Sequence, residues 1–367
     1  MEPVSEWIGL SLVPGLGIAG YWRLLDFFHS PGKVIRASSQ ALRQVPGIRE
    51  KQIAGLSAGK TLLERGRNEL VKLERMGGTA LSFEDPDYPA LLRQISDPPP
   101  VIYISGKREL LNIGSVAIVG SRAATVYGKR TAHSLAESLA GFSVAVVSGL
   151  AHGIDAEAHA GALAAGGDTI AVLGCGLDVV YPRQNRDLYR RISAQGVLVS
   201  EYPLGTQPEG FRFPARNRII AGISKGVVVV EAARKSGSLI TAQFALECGR
   251  EVYAVPGQVD SYKSKGAHWL LQQGAKMVLS AEDILDEFPP GTLNSPGNSA
   301  AGADDAVPTL DPDAEILLNH IEPYAQTRDQ LLERSGLSAG RMSELLLFLE
   351  LDNLIEVLPG DKIRKAA

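Results

Sequence analysis

Cysteine is nearly absent from this chain. Cys175 and Cys248 are the only two, and neither sits in a CxxC or a Cys/His ligand spacing, so a disulfide framework and a structural zinc have no basis. The six histidines form no HExxH-like pair, which leaves no candidate for a catalytic metal and no expected cofactor. Aromatic residues make up only 6% of the chain. No apolar stretch approaches the ~20 residues that span a bilayer, and the opening MEPVSEWIGL lacks the basic region of a secretory signal. These absences lead to the expectation of a cytoplasmic protein without a membrane anchor.

What is present describes a turn-rich α/β protein: 45% hydrophobic and 21% charged residues, with 39 Gly and 21 Pro, against the collagenous and disordered classes. At 367 residues the chain is too long for one ordinary core, and two to three domains are expected. The net charge of −4 hides a segregation along the chain. Residues 1–110 carry 14 basic and 12 acidic side chains, residues 111–280 carry 17 and 12, and residues 281–367 carry 6 and 17. A mildly basic middle is thus followed by an acidic end.

The composition of Pro289 to Pro308, rich in Gly, Pro, Ser, Ala and Asp, predicts a flexible linker over 289–309. Before it, β-branched runs such as Val116 to Gly120, Val144 to Ser148, Thr169 to Leu173, Val197 to Glu201, Gly226 to Glu231 and Val252 to Val255 alternate with stretches long enough for crossover helices. That alternation predicts an extended Rossmann-like, doubly wound and mostly parallel sheet over 76–288. Over 1–75, Pro-Gly turns at Pro14 and Pro46 precede amphipathic stretches and predict a small helical, helix-hairpin-helix or SAM-like domain. Such hairpins either contact DNA phosphates through their amides or act as a packing module. Residues 310–367 predict a winged helix with three short helices and a hairpin around Pro359-Gly360. Its presumed recognition helix, Ala339 to Asp352, has Arg341 but also Glu344, Glu350 and Asp352, a poor match to phosphate.

In an open parallel sheet, ligands collect beyond the carboxyl ends of the strands. The first such loop, Gly120-Ser121-Arg122, offers close backbone approach, a hydroxyl and a guanidinium fork at a helix N-terminus, which suits phosphate. The second, from Ser148 and Gly149 through Gly153 to Asp155, again puts glycines and a hydroxyl before a helix, with Asp155 as a helix cap. A third loop places Arg212, Phe213, Arg216, Asn217 and Arg218 together. Arginine interleaved with rings suits a single strand, where cations follow the backbone and a ring stacks on a base; a surface turn braced by ion pairs is the alternative. The fourth supplies Lys235, Ser236, Gly237 and Ser238, another anion-binding turn. None of these loops carries GxGxxG or GxxxxGK[ST], so a dinucleotide or a Walker-type ATPase site is not expected.

The ordered motifs Gly120-Ser-Arg, Ser148-Gly-Leu-Ala-His-Gly-Ile-Asp, Gly174-Cys-Gly-Leu-Asp-Val-Val-Tyr-Pro, Ser200-Glu-Tyr-Pro, Phe213-Pro-Ala-Arg-Asn-Arg-Ile-Ile-Ala-Gly and Lys235-Ser-Gly-Ser-Leu-Ile-Thr-Ala strongly resemble the DprA/Smf family of DNA-processing proteins. The resemblance implies a homodimeric single-stranded DNA binder that protects incoming DNA and loads the RecA recombinase onto it in natural transformation. It implies that Arg122 and Phe213 hold the nucleotide and that Arg216 and Arg218 flank it. Some relatives have a Lys three positions before the Phe; here that position is Gly210, with Arg212 as a substitute. The main alternative is an enzyme like the nucleotide phosphoribohydrolases, whose Gly-Gly-x-Gly-Thr-x-x-Glu motif the Lys235 loop faintly resembles. Thr241 is followed by Ala242, Gln243 and Phe244, so the carboxylate such chemistry needs is missing, and no catalytic residue is expected. A third reading is an adaptor that binds protein through the acidic C-terminal region.

Overall fold

The computed structural model describes residues 3–289, 293, 312–321, 326–351, 354–358 and 362–365. It divides into two compact units, Met1–Asn298 and Ser299–Ala367.

The first unit opens with helices α1 (Val4–Ser11), α2 (Gly17–Phe28), α3 (Pro31–Arg36), α4 (Ser39–Leu42), α5 (Glu50–Leu56) and α6 (Gly59–Arg75). The string Gly15-Leu-Gly17-Ile-Ala-Gly20 has the spacing of a dinucleotide fingerprint. It joins two helices instead of following a strand, so the phosphate-binding context of that motif is not there. The apolar faces of these helices close on Trp7, Tyr21, Leu24 and Leu73, and the same buried cluster continues into Tyr103, Leu173 and Leu198 of the sheet that follows.

That sheet has nine strands in the order β1-β2-β6-β5-β4-β3-β7-β8-β9: β1 (Gly78–Ser82), β2 (Val101–Gly106), β3 (Ser115–Val119), β4 (Ala145–Ser148), β5 (Thr169–Leu173), β6 (Val197–Ser200), β7 (Gly226–Val229), β8 (Glu251–Ala254) and β9 (Lys276–Met277). The pairs from β6 through β5, β4, β3, β7 and β8 to β9 are parallel. β1 and β2 add an antiparallel edge. Successive residues of a strand point to opposite faces, and the core divides accordingly. Val116 and Ile118 pack against α7 (Val126–Gly141) and α8 (Ile154–Ala164). Ala117 and Val119 face the layer of α10 (Arg212–Ile223), α11 (Gly237–Glu247) and α12 (Lys265–Gln272), after α9 (Arg186–Gln195) has connected β5 to β6. The short α13 (Glu282–Leu285) closes the fold. Both faces being covered explains why the strands read as continuous apolar runs. The chain winds outward from β3 to β6 and then returns beside β3 as β7. The crevice at that switch point is where such sheets bind ligands.

Leu293 falls inside the expected linker, yet it is buried against the Val116 and Ile118 face. The second unit consists of α14 (Pro312–His320), β10 (Gln326–Thr327), α15 (Arg328–Ser335), α16 (Ala339–Leu351), β11 (Ile355–Leu358) and β12 (Lys362–Lys365), with strand order β10-β12-β11. A capping box between Thr327 and Gln330 starts α15, and Gly336 in the left-handed region stops it, as expected from their local chemistry. The turn residues Pro359-Gly360 lie outside the described residues, as do Asp352 and most of 289–309. Arg341 of α16 is engaged by Asp313 and Glu344. Among the described residues no helix is long and apolar enough to cross a membrane.

Candidate nucleic-acid interface

A cavity of about 650 Å³ opens at the β3/β7 switch point. The loop after β3 lines it with Gly120, Ser121 and Arg122; the start of α10 with Phe213, Arg216 and Asn217; and the turn into α11 with Lys235, Ser236, Gly237 and Ser238. Ten of the residues singled out from sequence are thereby brought into one space.

The Phe213 segment was expected to be a loop and is instead the first turn of α10. Proline at position 214 is compatible with that turn, because the first N–H groups of a helix have no intrahelical partner. No side chain caps the start of α10. α11 is capped by Ser236, whose Oγ accepts from the Ser238 amide at 3.4 Å and lies 2.7 Å from the Ser238 hydroxyl. Two helix N-termini, positive by their aligned peptide dipoles, thus face the cavity.

Phe213 is the centre of the site. Its ring lies 5.3 Å from the Tyr181 ring, tilted by 31°, and the Arg122 guanidinium sits 5.2 Å from its centroid. Gly174 makes room for this ring: a Cβ there would lie 2.8 Å from Phe213 Cδ1. On the far side of Phe213 a narrow annex of about 30 Å³ is lined by Gly149, His152, Gly174 and Cys175. Arg122 and Lys235 are exposed and carry no ion pair among the described residues. The cavity therefore offers two uncommitted cations beside a ring with an accessible edge.

The remaining charges are held in place. Arg216 is 3% exposed; it donates to the Gly149 carbonyl at 2.9 Å and to the Val172 carbonyl. Asp155 accepts from the Gly149 amide at 3.2 Å, bracing the loop after β4 rather than capping α8, whose N-cap is Gly153. Burial pushes the Asp155 carboxyl up and the Arg216 guanidinium down, and their mutual attraction opposes both shifts. Gly153 adopts φ 77° with the Ser121 carbonyl 2.3 Å from where a Cβ would be. Only glycine fits both conditions.

Four expected contacts lie elsewhere. Ser148 is buried and donates to the Ile118 carbonyl, and Gly153 is a packing residue behind the cavity wall. Arg212 does not replace the missing lysine at Gly210: it stacks between Tyr202 and Phe211 and pairs with Glu209. Arg218 is 4% exposed, pointing away from the cavity into Glu201 at 2.6 Å and Asp97 at 3.0 Å. Phe213, Arg216, Asn217 and Ile220 line the cavity at the spacing of one helix face, and at about 100° per residue Arg218 lies beyond its edge, some 200° round from Arg216. Two aromatic residues of the lining were given no role from sequence, Tyr181 and Tyr262. Tyr181 stands in the motif Gly174–Pro182, in the loop after β5, and that place beyond the carboxyl end of a strand was the available signal; nothing local marks Tyr262.

The loop from Tyr202 to Gly210 forms part of the rim through Pro208 and Gly210. Two carboxylates hold it: Glu69 of α6 accepts from the Leu204 amide at 2.6 Å, and Asp178 accepts from the Gly205 amide. Burial raises the Glu69 carboxyl above its usual range while the Leu204 amide opposes the shift.

The family described as DNA recombination-mediator protein A matches residues 79–289, and that described as the DprA winged helix domain matches 301–361. Protein Smf of Synechocystis is 36% identical over 98% of both chains. Protein Smf of Escherichia coli is 40% identical over 81% of this chain and 80% of its own. The X-ray structure of DNA processing protein A from Streptococcus pneumoniae superposes with a TM-score of 0.69 at 36% identity, covering 79% of this chain and 99% of that one. DNA processing protein A from Helicobacter pylori, a structure described by its unique single-stranded DNA binding mode, superposes with a TM-score of 0.53 at 31% identity, covering 57% of this chain and 94% of that one. With that agreement across both units, the chain belongs to the DNA recombination-mediator protein A family, the DprA and Smf proteins.

Proposed function

We propose that this chain binds single-stranded DNA in the cavity between Arg122, Phe213 and Tyr181. The observation that carries the reading is Phe213, with Arg122 over one side of its ring and uncommitted Lys235 and the α11 N-terminus across the cavity. A base stacks on such a ring whatever its identity, and cations and helix N-termini take the flanking phosphates. The description of the Helicobacter pylori relative supports the same ligand. Binding without chemistry suits the site. Asp155 is the one carboxylate lining the cavity among the described residues, and the Gly149 amide occupies it. Glu231, close behind, is buried and accepts from Thr125. Among the described residues of the lining, no second carboxylate and no histidine joins Asp155 as an acid–base pair.

The family's description as a recombination mediator supports the further reading that the bound strand is protected and handed to the RecA recombinase, with the chain acting as a homodimer. Such a mediator lowers the barrier to filament nucleation by raising effective concentration. The deciding experiment is a salt titration with single-stranded DNA, duplex DNA and mononucleotides. Single strands are expected to win in competition, with a log–log slope of about −2 to −3.5 for roughly 3–5 neutralised phosphates. Arg122→Ala is expected to weaken binding by about 1.5–3 kcal/mol, because a charge-assisted contact is lost. Salt-independent binding, or duplex held equally well, overturns the reading.

A further inference from the structure

The cavity is confined to about 650 Å³, and a second cationic feature adjoins it. Tyr181 forms one wall, and the chain continues from there through a 3-10 turn, Arg183–Asn185, directly into α9. That stretch presents Arg183, Arg186 and Arg190, all exposed. Their spacing of three and four residues puts them on one side of a helix. The opposite side is anchored, with Ile192 buried and Leu188 packed against the same core, and on the flank the Tyr189 hydroxyl donates to the Leu177 carbonyl. The start is fixed to the site itself, because Asn185 Nδ2 donates to the carbonyls of Leu150 and Ala151 at 3.0 and 3.3 Å, and Ala151 lines the cavity. Arg183 and Arg186 make no ion pair among the described residues. Arg190 reaches Asp187 only at 3.6 Å, with both side chains largely in solvent.

We propose that Arg183, Arg186 and Arg190 form a phosphate track that carries the strand out of the cavity past Tyr181. This rests on the cavity being the single-strand site. At 1.5 Å per residue the three arginines span roughly 10 Å, which is about three phosphates at some 3.4 Å per nucleotide of a stacked strand. Exposed guanidinium groups, two of them without an ion pair among the described residues and the third held only by the solvent-exposed Asp187, hold successive phosphates without reading bases. An acidic protein segment would also suit this face, but continuity with the Tyr181 wall and the fixed Asn185 anchor favour the strand proposed for the adjoining cavity.

The test compares oligothymidylates of about 6 and about 20 nucleotides on the full chain and on the variant R183A/R186A/R190A. The long strand is expected to lose about tenfold or more in affinity at low salt, and its log–log salt slope to fall by about 2, at 0.7 per phosphate. The short strand should bind within twofold of the unmodified protein. The melting temperature should be unchanged, and R183K/R186K/R190K should recover most of the slope. Unchanged binding of the long strand overturns the track and leaves the cavity standing, even if an acidic polypeptide is captured by the arginines. Equal losses on both lengths also overturn it. If Arg122→Ala leaves both lengths bound as before, the cavity reading fails and the track falls with it.

Discussion

At the scale of single residues, the run Arg212 to Arg218 contains side chains of opposite purpose. Phe213 is half-buried and presents its ring to the cavity. Phe213→Ala is expected to cost about 1–3 kcal/mol of strand affinity, with Tyr in its place preserving most of it, as read by titration with a short oligonucleotide. Arg218 has the converse profile. Removing it strands the buried Glu201 carboxylate, whose partner it is at 2.6 Å, and burial already pushes that carboxyl up. Arg218→Ala is therefore expected to lower stability by about 3–5 kcal/mol while the folded fraction binds DNA with unchanged affinity. Denaturant melts paired with binding curves check this, and loss of affinity without loss of stability would place Arg218 on the DNA. The sequence shows that arginines and rings are interleaved here. It does not show which cations are spent on the fold, because Glu201 and Asp97 lie 17 and 121 positions away. Arg122, on an exposed turn, was legible for the opposite reason.

At the scale of elements, the central strands were legible because burial on both faces makes them uninterrupted apolar runs. β1 and β2 were not, since they form the antiparallel edge and are separated by a Pro-rich stretch that ends in Pro98-Pro99-Pro100. The helix that holds Phe213 was hidden by Pro214, which reads as a breaker unless its place in the first turn is known. One packed junction makes a pH prediction. Thr169 Oγ1 on β5 donates to the Val146 carbonyl of β4 at 2.7 Å, so it must accept from His159 Nδ1 of α8, also at 2.7 Å. The hydroxyl has one proton to give. This fixes the Nδ1–H tautomer and leaves His159 Nε2 buried without a partner. Protonation would add an unsatisfied buried charge, and burial pulls the imidazole down to about 3 from its ordinary 6.5. Between those values the unfolded chain binds a proton that the folded one refuses. Stability is then fully present above about 6.5 and falls as the pH drops below it, by up to tenfold in the folding equilibrium per pH unit. His159→Gln is expected to flatten this segment of the stability profile, and an unchanged slope would show that other groups set it.

At the scale of the whole molecule, charge is segregated along the chain: residues 111–280 carry 17 basic against 12 acidic side chains, and 281–367 carry 17 acidic against 6 basic. The acidic end was legible from composition alone, but the edge of the first unit was not. A linker composition extends from Pro289, whereas Leu293 is buried to 3% exposure in the cluster of Val116, Ile118 and Val146. A single apolar residue among Gly, Pro and Ser gives no periodic signal, yet burying a leucine is worth about 1.5–3 kcal/mol. Two truncations should therefore differ. A chain ending at Asn298, where the first unit ends, is expected to melt like the intact protein's first transition and to keep nearly all of its single-strand affinity, since α16 commits Arg341 to Asp313 and Glu344. A chain ending at Pro289 is expected to lose the Leu293 contribution in stability while binding the strand equally well once folded. Thermal melts and strand titrations on the two proteins separate the outcomes. Equal stability would show that Leu293 contributes nothing to the fold, and loss of most affinity in the folded longer fragment would place the winged helix on the DNA.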